Sequence, residues 1–347
     1  MDEWTALRHR VRMTAALIAA TGRPAGLGPG LGAVVGIAAV GTALSSALAV
    51  GGMVVSPLVV ALLLGLVAAQ VAPLPTRLLP GVTFAAKPLL RLAIVLLGLR
   101  IGLPQVAAIG ITGGVAIVAI VIATMAFGWF VARALGLSRD LAWLLAAGHA
   151  ICGAAAIAAA DSVLRAKERE VAAAITLVTL FGTVAMVAVP GGGELLGLEP
   201  TAYGFWAGGS VHEVAQAIAA GFARGEQAGE MASLVKMVRV ACLLPLGLML
   251  ALVAVRRGGR AASRLLVPWF VVAFAVVAVV DAAGAIPAAV AAPLCSVGTV
   301  AMTMAMAALG LKSSLREVAA AGWRPIAAAF ATTLFVSGAA LAFAALR

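Results

Sequence analysis

Residues 108–131 read AIGITGGVAIVAIVIATMAFGWFV, an apolar run without one charged side chain. A bilayer's hydrocarbon core, about 30 Å thick, takes roughly 17–25 such residues as a helix. A soluble surface helix of this length would show a polar face, and this run has none. It also lacks the apolar/polar alternation of a barrel strand, so its backbone must satisfy itself internally as an α-helix.

Segments of similar character recur on both sides. We place them at 31–50, 56–73, 85–102, 108–131, 141–161, 171–190, 201–222, 235–255, 265–281, 286–309 and 325–345. These eleven segments predict an all-α polytopic membrane protein with short loops: a cytoplasmic N-terminal tail (1–30) and a single transmembrane transporter domain (31–347). Composition agrees. The chain of 347 residues is 64% hydrophobic and 11% charged, with a mean hydropathy of +1.14. Soluble domains carry about 25% charged residues, so lipid must be the solvent for most of this surface.

The net charge of +11 does not predict nucleic-acid binding. The basic residues sit in short clusters between apolar spans, as the positive-inside rule requires. Arg8, Arg10 and Arg12 therefore place the N-terminus in the cytoplasm, and Arg256, Arg257, Arg260 and Arg264 form a second inside cluster. No cleavage site precedes the first span, so the tail does not read as a signal peptide. Cys152, Cys242 and Cys295 have no metal-ligand spacing; neither disulfide, metal nor cofactor is expected.

Two segments are anomalous. The fifth contains Gly148-His149-Ala150-Ile151-Cys152-Gly153 and the seventh Gly208-Gly209-Ser210-Val211-His212-Glu213. Glycine and polar groups at mid-segment predict a broken span or a re-entrant hairpin, which survives only inside protein or along a cavity. The re-entrant version gathers more of the 24 Lys and Arg on the inside and is preferred. An internal repeat points the same way. Gly148–Ala159 aligns with Gly209–Ala220 without a gap, and Gly98-Leu99-Arg100 resembles Gly310-Leu311-Lys312. In the re-entrant topology both pairs are inverted, the signature of carriers with a site at the repeat interface.

The motifs Ile151-Cys152-Gly153-Ala154-Ala155-Ala156-Ile157, Val211-His212-Glu213-Val214-Ala215-Gln216 and Leu96-Leu97-Gly98-Leu99-Arg100 resemble the sulfate exporter family of YeiH-type inner-membrane proteins. The resemblance runs from about residue 30 onward. It implies a multi-pass inner-membrane carrier exporting sulfate or a related sulfur oxyanion. Such proteins often carry small hydroxyl residues before the Ile-Cys-Gly motif; here His149 and Ala150 stand there.

Glu213 is an acid inside an apolar segment, with His212 beside it. Intramembrane ionisable groups are costly and mark function, so His212 and Glu213 are the candidate proton-coupling pair. The structural alternative is a polar pair that holds the hairpin's shape. His149, Cys152, Gly153, Gly208, Gly209, Ser210 and Gln216 are the candidate substrate-binding positions, Cys152 reading as a small packing residue rather than a reactive thiol. The rationale is that half-helix N-termini present free N–H groups to anions; neutral donors then suffice without a buried lysine. Arg100 and Lys312 attract the anion or snorkel to the headgroups. The expected partners are a small inorganic or organic anion, the lipid bilayer and, by analogy with similar carriers, a second copy in a homodimer. An intramembrane enzyme is disfavoured: His212-Glu213 lacks the second histidine of His-Glu-x-x-His. A cation/proton antiporter and an anion channel remain the rival readings.

Overall fold

The computed structural model describes residues 26–50, 56–72, 74–101, 103–243, 245–246, 269–313 and 321–346. Most of the expected tail (1–30) and the Arg256–Arg264 cluster lie outside them, as do Ser314 and Leu315 at the end of the second repeat.

The described residues form helices. Six are long and apolar enough to cross a membrane. They are α1 (Leu27–Val50), α3 (Leu79–Arg100), α4 (Leu103–Ala134), α7 (Glu168–Leu195), α12 (Ala288–Leu311) and α13 (Trp323–Ala345). Two shorter apolar helices are α2 (Pro57–Val71) and α11 (Trp269–Ala282). Pro88 lies within α3 and is accommodated by a wide turn over Ala85–Leu89, which absorbs the missing N–H. Every segment expected from the sequence has a counterpart. The eighth begins earlier than expected: α10 runs Glu226–Ala241, because Glu226, Gln227 and Glu230 make its first half too polar to score as a span.

The two anomalous segments are helical hairpins. The first is α5 (Arg139–Ala150) and α6 (Ala154–Leu164); the second is α8 (Pro200–Ser210) and α9 (Val214–Phe222). Each folds back on itself. Tyr203, near the start of α8, donates its hydroxyl to the carbonyl of Ala220, near the end of α9, at 2.6 Å. In the first hairpin Gly148 lies against Ile157.

Helix α7 shows that the hairpins enter from opposite ends. Ser138, at the base of the first hairpin, donates to Glu170 at the start of α7 (2.8 Å). Gly193, at the far end of α7, lies against Tyr203 at the base of the second hairpin. Helix α7 has 28 residues and spans ~42 Å, whereas α5 and α8 reach only ~16–18 Å inward. The tips therefore meet near the middle of α7, beside Thr179 and Thr183. This is the inverted arrangement that the re-entrant reading expected.

A second group of helices, α1, α2, α3, α11 and α12, packs by small residues. Gly65 of α2 and Gly310 of α12 face each other so closely that a methyl group on either would meet backbone. Such contact suits helices whose association gains nothing from expelling water.

Candidate functional site

The site is the crossing of the hairpin tips. Helix α5 ends at Ala150 and α6 starts at Ala154; α8 ends at Ser210 and α9 starts at Val214. Each break leaves a negative carbonyl end and a positive amide end in the interior.

Both carbonyl ends are met by cations from α10. Lys236 Nζ donates to the carbonyls of Ile151 (2.9 Å), Val211 (2.8 Å) and His212. Arg239 donates through Nε to Ala150 (3.1 Å). Its Nη1 reaches Gly208 (3.0 Å), Gly209 (2.7 Å) and Val211 (3.2 Å). Its Nη2 reaches His149 (2.8 Å) and Ala150 (3.0 Å). Both side chains have 0% exposure. A buried cation is tolerable only when fully hydrogen-bonded, and three protons on Lys236 plus the fork of Arg239 achieve that. The two residues staple the hairpin tips together.

The amide end of α6 is met by an acid from the other hairpin. Glu213 Oε1 accepts from Ala154 N at 3.2 Å and lies 3.5 Å from Thr179 Oγ1. Gly153 precedes it at φ 72°, and a Cβ there would strike the Glu213 side chain. Only glycine takes this conformation without cost and leaves the acid room. Glu213 keeps partial exposure, whereas His149, His212, Lys236 and Arg239 are buried.

The imidazoles of His149 and His212 stack edge to face, ring centroids 4.6 Å apart. His149 Nδ1 lies 2.7 Å from the Leu145 carbonyl, which only accepts, so Nδ1 carries the proton. His212 Nε2 lies 2.9 Å from Thr333 Oγ1, whose hydrogen goes to the Ala329 carbonyl, so Nε2 donates. His149 Nε2 and His212 Nδ1 are then lone-pair nitrogens, buried without a partner among the described residues.

His149, Cys152, Gly153, Gly208, Gly209, Ser210, His212, Glu213 and Gln216 thus come together, but several present the opposite chemistry to that expected. Gly208 and Gly209 lie at a helix C-terminus and offer carbonyls to Arg239, not amides to an anion. Ser210 donates to the Trp206 carbonyl (2.7 Å). Gln216 spends its amide hydrogens on the Thr179 carbonyl (3.2 Å) and Thr183 Oγ1 (2.9 Å). Cys152 is a buried packing residue. Arg100 and Lys312 lie apart, at opposite ends of α3: Lys312 is 3.4 Å from Thr83 and Arg100 ends the helix. Lys236 and Arg239 were missed. The signal was there, two cations three residues apart within the expected eighth span, and a charge inside a span is itself a functional mark.

The family described as Conserved hypothetical protein 698 matches residues 29–329. The chain is 37% identical over 303 residues to UPF0324 inner membrane protein YeiH of Salmonella typhi, covering 84% of this chain and 87% of the relative. It is also 39% identical over 289 residues to UPF0324 membrane protein TauZ of Paracoccus denitrificans, covering 81% and 85%. The chain belongs to the UPF0324 membrane protein family. The YeiH-type resemblance read from the hairpin motifs therefore holds. The family match spans both hairpins, α10 and the first turns of α13, so the hairpin tips, Lys236 and Arg239 lie within it. No solved structure matches this UPF0324 chain.

Proposed function

We propose that the protein is a secondary carrier that exports a small anion, sulfate or a related sulfur oxyanion or sulfonate, by alternating access with proton coupling. One observation carries this reading: the crossing sets two buried cations, Lys236 and Arg239, against one partly exposed carboxylate, Glu213. A substrate of negative charge balances that excess, and a cation would add to it. Inverted hairpins meeting at mid-depth support a carrier.

Proton coupling follows from the tautomers. Neutral His149 and His212 turn lone pairs into the interior, which repel an anion. A proton on either converts that nitrogen to a donor. Anion binding and proton binding are thereby linked, and Glu213, the partly exposed acid, is the group through which the proton enters. In this reading residues 31–347 form one transporter domain in the inner membrane, the tail 1–30 is cytoplasmic, and the carrier is a homodimer without enzymatic activity.

The test is substrate-triggered proton flux in proteoliposomes, with sulfate, sulfite, thiosulfate, short alkylsulfonates and sodium as substrates. Flux with an anion, lost in Glu213→Gln, is the expected result. Flux with sodium and silence for every anion overturns the reading in favour of a cation/proton antiporter. An anion current indifferent to a pH gradient overturns it in favour of a channel.

A further inference from the structure

Away from the hairpin tips, a cavity of about 220 Å³ lies where the second hairpin meets the small-residue helix group. Helices α2, α3, α9 and α12 wall it. Its polar lining is Arg100, Ser56, Thr299 and Thr303; Leu58, Leu97, Ile218 and Phe222 are among its apolar walls. Ile218 stands five residues beyond Glu213 on α9, so the cavity lies ~7–8 Å along that helix from the acid.

Arg100 is the cation of this cavity, and its partners are weakly committed. Nη1 pairs with Glu226 at 2.7 Å, with 68% of the Glu226 side chain exposed. Nη2 donates to Thr299 Oγ1 at 3.1 Å, and the guanidinium lies 5.8 Å from the centre of the Phe222 ring. The Thr299 and Thr303 hydroxyls donate to the Cys295 and Thr299 carbonyls. An ion pair so open to water contributes little, whereas an acid inside the cavity meets Arg100 where water screens it less.

We propose that this cavity binds a small organic anion, an acid group on a short apolar body, and that Arg100 exchanges Glu226 for the ligand's acid. The volume, below the ~300 Å³ at which pockets for drug-sized ligands begin, admits only a small molecule. Sulfate would surrender the hydration of four oxygens to one guanidinium and gain nothing from the Leu58, Ile218 and Phe222 walls. An alkylsulfonate or alkylcarboxylate places its head on Arg100 and buries its chain. Arg100 ends α3 and Glu226 begins α10, so the same exchange unlatches one helix group from the other. That consequence, and only that, rests on the carrier reading above.

A native reporter stands in the cavity wall. Cys295 lines it and is partly exposed, while Cys152 and Cys242 are buried. The experiment follows maleimide modification of Cys295 in the full chain, in detergent, by mass spectrometry, against propane-1-sulfonate and sulfate. Propane-1-sulfonate is expected to slow the reaction at a concentration at least about tenfold below that at which sulfate does. Glu226→Gln should lower the protecting concentration two- to fivefold, the worth of an exposed ion pair. Arg100→Gln should raise it at least about tenfold, with Thr299→Val as a milder second variant should Arg100→Gln not fold. Equal protection by sulfate, or protection indifferent to both Arg100→Gln and Glu226→Gln, overturns the proposal. Protection without counterflow of the sulfonate overturns the carrier reading and leaves the site standing. Counterflow with an unchanged KM in Arg100→Gln removes the site and leaves the carrier.

Discussion

The carboxylate of Glu213 accepts a hydrogen bond from the backbone amide of Ala154, 59 positions away in sequence, at 3.2 Å. The acid of one hairpin tip therefore caps the inner helix of the other. Its negative charge sits at the positive end of α6, where an anion would otherwise be drawn. In the proposed carrier, protonation of Glu213 is the step that weakens that cap, frees the helix end for an incoming anion and brings one proton with it. The same contact can hold the tips in place and couple them to pH.

Glu213→Gln keeps an acceptor for Ala154 and removes the titration. The variant should fold, with a thermal midpoint within a few degrees of the parent, since a neutral cap differs from a charged one by roughly 1 kcal/mol or less. Its transport should no longer respond to a pH gradient. A preserved pH response in vesicles would remove Glu213 from the coupling step.

Arg239 holds five carbonyls, and each one left without a donor costs about 1–3 kcal/mol. Arg239→Met should therefore yield little folded protein by size-exclusion chromatography in mild detergent. Arg239→Lys restores the charge but has one nitrogen where the guanidinium has three. It should fold with a midpoint lowered on the order of 5 °C. A lysine variant as stable as the parent would show that charge alone suffices at the helix ends.

Gly153→Ala combines a positive φ with a methyl group aimed at Glu213. Transport should fall at least tenfold, because the cap moves by the room the methyl takes. Gly338→Ala is the control: it lies within α13 with open space at its Cβ, so activity should stay within twofold. Equal effects from the two substitutions would deny Gly153 its special place.

The bases of the two hairpins should open to opposite sides of the membrane. In a Cys295→Ala background, Arg139→Cys should react with an impermeant thiol reagent only from the cytoplasmic side. Leu196→Cys, 56% exposed beside the second hairpin, should react only from the other side. Labelling of both from one side would break the inverted arrangement.

Much of this was legible in the residues. Apolar length alone marks the spans, because a bilayer imposes one thickness on every segment that crosses it. Glycine and polar groups inside a span mark the hairpins, because irregular backbone at that depth needs protein or water around it. His149, His212 and Glu213 stand out for the same reason, being costly where they are. The direction of the chemistry was not legible. Gly208 and Gly209 sit beside a break, but whether a break shows a ligand its carbonyls or its amides depends on which half-helix they end. Lys236 and Arg239 were hidden among the basic residues that set topology, since a sequence does not say whether a cation faces headgroups or the carbonyl ends of two helices.

The sequence by itself determined the solvent, the helical class, the number of apolar segments and the two places where a helix must break. These are local properties, set within some twenty residues by hydropathy and backbone satisfaction. Only the tertiary structure decided that the breaks face each other, that α10 staples their carbonyl ends, and that Glu213 serves the helix of the opposite hairpin. Each of those contacts joins segments tens of residues apart. Their energy depends on distance and on the exclusion of water, and neither exists until the chain has packed.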